Sequence, residues 1–165
     1  MNYSIPDLHP LEPVSFLDTG WESLARWTEE GHQDALALAG VLGANAAEYG
    51  ADPSVLLAAL QNYVARLPPH QFEKSDWVTL HTDLVAYLAD VLIRKRGASW
   101  QISDDAAAPC GFRFVLEARG VDREVHRIEP AEVVMAEFRN PLIEVTRMIA
   151  NAEISLRVVH PIPEE

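Results

Sequence analysis

From Trp21 to Gly97 the apolar positions recur at intervals of three and four, and beyond Gly97 the interval shortens to two. The first spacing predicts amphipathic helices and the second predicts half-buried strands. Trp21, Leu24, Ala25 and Trp27 make a short helical segment expected to end near Gly31. Leu38, Leu42, Asn45 and Tyr49 mark a second helix, His32 to Tyr49, stopped by Gly50. Its other contact positions, Ala35, Ala39, Gly43, Ala46 and Ala47, are small, which predicts a closely packed, central helix. Asp52-Pro53 supplies an N-cap and a first-turn proline for a third helix. That helix runs through Val55, Leu56, Leu60, Tyr63 and Val64 and stops before Pro68-Pro69. The longest helix is expected from a Ser75 N-cap to Gly97, with Trp77, Leu80, Leu84, Tyr87, Leu88, Val91 and Leu92 as its apolar stripe. Arg94, Lys95 and Arg96 fall in its last turn, where the helix dipole favours positive charge.

Trp100 and Ile102 alternate with polar neighbours, and Phe112, Phe114, Leu116 and Ala118 do the same. Arg119-Gly120-Val121-Asp122 reads as the turn into a strand from Arg123 to Ile128. Pro130 opens another helix, Asn140-Pro141 restarts it after a break, and Leu156 to Val159 has the makings of a short edge strand. The predicted class is α+β: N-terminal helices packed on a small antiparallel sheet and followed by a C-terminal helix. Residues 1–14, with Pro6, Pro10 and Pro13, read as an extended arm; 15–158 form a single domain, and 159–165 a flexible tail.

Charge is uneven along the 165 residues. Residues 1–90 hold 13 acidic and 3 basic side chains, a net of −10; residues 91–165 hold 12 and 10, a net of −2. A surface so poor in Lys and Arg is a bad match for nucleic acid, which is bound by displacing counterions. It is a good match for a basic protein, whose approach it would steer. Asp18, Glu22, Glu29, Glu30 and Asp34 are the residues expected to form such a patch, drawn from neighbouring helical segments. No apolar run of about 18 residues is present to span a membrane, and Met1 to Leu8 lacks the positive and apolar regions of a secretory leader. With Cys110 as the lone cysteine, a reducing, cytoplasmic setting is expected.

Candidate chemistry is sparse. The chain has no G-x-S-x-G, G-x-x-x-x-G-K or G-x-G-x-x-G, and its six histidines include no H-x-x-x-H pair. No metal or cofactor is therefore expected. His81 falls within the stripe of Trp77, Leu84, Val85 and Leu88, a half-buried setting suited to a general base and equally to a core histidine bonded to a carbonyl. Arg113, Arg119, Arg123 and Arg127 gather on the predicted hairpin. There they either grip an anionic ligand or pair with Glu117, Glu124 and Glu129. Cys110, in Pro109-Cys110-Gly111, has the surroundings of an incidental loop thiol. Asp90 and Arg94, at i and i+4, read as a surface ion pair.

The stretch from Leu84 through Tyr87-Leu-Ala-Asp-Val91 to Gly97-Ala-Ser-Trp100 resembles a segment of several uncharacterised bacterial domains. In those a Tyr-Leu-Gly-(Glu/Asp)-Val helix runs into Gly-Gly-x-Trp and a strand; Ala89 and Ala98 stand here in place of two of the glycines. Ile128-Glu-Pro130 is similar to their strand-to-helix step, so the resemblance covers roughly residues 75–135. It implies an α+β domain of unknown function, found at times in proteins linked to bacterial toxin and immunity systems.

Two functional expectations follow. One is a non-catalytic interaction domain, an immunity or adaptor protein binding a basic toxin or effector. The other is a small-molecule-binding domain or cryptic enzyme with a pocket near His81, Arg113 and Arg127.

Overall fold

A computed structural model describes residues 20–160, with side chains described from Glu22 onward. The arm expected over 1–14 and most of the tail expected over 159–165 lie outside the described residues. The element order is α1 (Gly20–Val41), α2 (Ala46–Ala51), α3 (Leu57–Arg66), α4 (Lys74–Arg96), β1 (Ser99–Asp104), β2 (Phe112–Arg119), β3 (Val125–Ile128), α5 (Pro130–Phe138) and α6 (Val145–Ser155). The strands form one antiparallel sheet in the order β1-β2-β3. Helices, then sheet, then helices make the α+β class read from the sequence.

The centre is α4. Every residue from Leu84 to Leu92 is buried, so this helix is wrapped on all sides rather than along one stripe. Leu84, Leu88 and Leu92 share a core with Ala35, Leu38 and Ala39 of α1, Leu60 of α3, and Met148 and Ala152 of α6. Burying each such leucine stabilises the fold by about 2 kcal/mol. The helix starts at Lys74 rather than after Ser75, and the Asp76 carboxylate accepts the Glu73 N–H at 2.9 Å. It ends as expected at Gly97, whose φ of 69° lies in the left-handed region that glycine occupies without strain. Its terminal cations also tie neighbours down: Arg94 donates to the Gly50 carbonyl, Lys95 pairs with Asp52 at 3.1 Å, and Arg96 pairs with Glu153 at 2.7 Å.

The two helices expected on either side of Gly31 are one. α1 runs unbroken from Gly20 to Val41, and the chain expected to continue helically to Tyr49 breaks at Gly43 instead. An internal glycine costs about 1 kcal/mol relative to alanine, which an extended apolar face outweighs. At Gly43, φ is 82°; its N–H donates to the Gly40 carbonyl and the Ala44 N–H to the Ala39 carbonyl, a Schellman closure. Asn45 is the cap of α2, accepting the Ala47 N–H at 2.8 Å, not a stripe residue of a long helix. Asp52 and Pro53 cap as expected, through a one-turn 3₁₀ helix at Pro53–Leu56 that leads into α3.

α1 also covers the sheet. Trp27 stacks on Phe114 at 4.9 Å and meets the edge of Trp100 at 5.6 Å. The β2–β3 hairpin forms as expected, except that its loop reaches Glu124 and β3 starts at Val125. Pro141 does not open α6. Buried Glu137 captures the Glu144 N–H at 2.7 Å and the Arg147 guanidinium at 2.6 Å, which delays the helix to Val145. No edge strand forms at Leu156–Val159: Leu156 caps α6, and one backbone bond joins the Val121 N–H to the Arg157 carbonyl at 2.8 Å.

Candidate functional site

Four residues of the expected acidic patch are described, and one helix carries them all: Glu22, Glu29, Glu30 and Asp34 lie exposed on α1. Asp18 lies outside the described residues. At the helical repeat, Glu22 and Glu29 stand in one line, and Glu30 and Asp34 in the line beside it. The Gln33 amide donates to Glu29 at 2.8 Å. The patch reaches a second helix through Asp83 of α4. Burial, and after it the Asp34 carboxylate, push the Asp83 pKa up to about 6.

Two of the four hairpin arginines are engaged by carboxylates. Arg113 pairs with Asp105 and, at 3.0 Å, with Glu129; Arg127 pairs at 2.7 Å with Glu117, its register partner across β2 and β3. Arg119 donates to the Arg123 carbonyl at 2.7 Å, and Arg157 and His126 both bind Asp122. His81 sits between α4 and α5, where its Nε2–H donates to the Ala131 carbonyl at 3.2 Å and its ring meets Phe138 edge-on. Burial lowers its pKa, and the Ala131 carbonyl acts in the opposite direction. No hydrogen bond or ion pair connects His81 to Arg113 or Arg127. Cys110 is half-exposed in the loop between β1 and β2.

One constellation was not anticipated. Asp90 is only 5% exposed and accepts two hydrogen bonds, from the Tyr49 hydroxyl at 2.9 Å and from His32 Nδ1 at 3.0 Å. It is thus not the surface partner of Arg94 that the i, i+4 spacing suggests; Arg94 turns to Gly50. The three side chains come from α1, α2 and α4 and are brought together by the Gly43–Ala44 break, which folds Tyr49 back onto α4. Burial, and then the Asp90 charge and hydrogen bond, hold the Tyr49 proton on far above the ordinary phenol range. His32 turns Nδ1 toward the Asp90 carboxylate, the orientation in which a carboxylate holds the ring of a general-base histidine. The same arrangement satisfies a carboxylate that would otherwise be buried without donors. The signal was present in the sequence: from Leu84 to Ile93 Asp90 is the one charged residue in an apolar run. A lone acid there predicts burial with partners.

Among the described residues no group of three or more His, Cys, Asp or Glu side chains is placed to hold a metal ion. Among the same residues no helix is long and apolar enough to cross a membrane. No protein-family model matches the chain, and comparison with curated proteins and with solved structures finds no match either.

Proposed function

We propose that this chain is a cytoplasmic, non-catalytic interaction domain whose α1 face receives a basic protein, in the manner of an immunity or adaptor protein meeting a toxin or effector. The observation that carries the reading is spatial. Glu22, Glu29, Glu30 and Asp34 line the exposed face of one helix, and where α1 meets α4 the Asp34 carboxylate adds to burial in raising the Asp83 pKa. Arg113, Arg127 and Arg157 of the sheet half are each spent on internal carboxylates, so the charge imbalance of the sequence is concentrated on the helices. The small-molecule or enzymatic alternative near His81 would have to draw on Arg113 and Arg127 after displacing those carboxylates, which is why the interaction reading is preferred.

An acidic face of this kind acts mainly on the association rate. Partners captured from the native host by the full chain should be basic, and their association should slow steeply between low and physiological salt. Glu29→Lys together with Glu30→Lys should slow it further while leaving stability within about 0.5 kcal/mol, as for other exposed charges. An acidic partner, or an association rate indifferent to both salt and charge reversal, overturns the reading.

A further inference from the structure

We draw no further inference here: the strongest candidate, the half-buried cluster of Trp27, Phe112 and Phe114 where α1 crosses the sheet, whose Trp27 indole N–H finds no hydrogen-bond partner among the described residues, carries nothing because nothing in the structure shows what covers it.

Discussion

The Tyr49 hydroxyl donates to Asp90 across 41 positions of sequence, at 2.9 Å and out of contact with water. That bond couples the short helix α2 to the central helix α4, and its strength comes from the charge on its acceptor. Tyr49→Phe keeps the ring in the core but leaves the carboxylate with His32 as its remaining side-chain donor. The variant should lose about 1.5–3 kcal/mol in urea unfolding at neutral pH, the usual cost of removing a bond to a buried charge. In an Asp90→Leu background the same change should cost almost nothing, because the acceptor is gone. Equal costs in both backgrounds would assign the effect to packing of the ring.

Asp83 sets a pH dependence of the opposite kind from a paired carboxylate. Its folded pKa is raised from 3.8 to about 6, so the folded state holds its proton more tightly than the unfolded chain does. Stability from this group is fully present below about pH 4, declines as pH rises toward 6, and stays low above that. Asp83→Asn should therefore match the wild type near pH 4 and exceed it at pH 7 by on the order of 1 kcal/mol, after allowance for solvent screening of a half-exposed group. Urea unfolding at several pH values checks this. A gain independent of pH would show that charge is not its cause.

Leu84 tests the position of the core. It is fully buried where α4 carries apolar contacts on every side. Leu84→Ala should cost about 2–5 kcal/mol in denaturant unfolding. A loss under about 0.5 kcal/mol would place the centre of the molecule elsewhere.

What could be read from sequence alone follows the range of the interactions involved. Asp52-Pro53, Gly97 and the change of period after it act locally, and they marked the start of the α3 segment, the end of α4 and the sheet. Gly31 and Gly43 are the same residue type in similar surroundings, and only the packing of α1 on α4 and the sheet decides which of them breaks the helix. Asn45 looked like a stripe position because Leu38, Leu42 and Tyr49 fall in phase with it; its role as a cap depends on the break at Gly43. The acidic residues of α1 are legible one by one, but their meeting with Asp83 is tertiary. His32, Tyr49 and Asp90 are 58 and 41 positions apart in their pairings, beyond any spacing rule. Only the charge inside the apolar run of α4 pointed toward them.

The seam between α1 and α4 has a consequence for alignment. Ala35 and Ala39, fully or almost fully buried there, sit four residues apart and are chemically identical. A slip of α1 by one turn, about 5.4 Å, would replace one with the other, so these two positions do not themselves fix the register. The larger side chains of the same helix, Leu38 in the core and Trp27 on Phe114, carry the register by shape. The tie to Asp90 adds a chemical match to that shape, because a slip would set Thr28 or Leu36 opposite the carboxylate in place of His32. A buried acid adds little net stability over a well-packed leucine. Its contribution here is a polar match that the native docking alone satisfies, which helps to fix where along α4 the exposed face of α1 comes to rest.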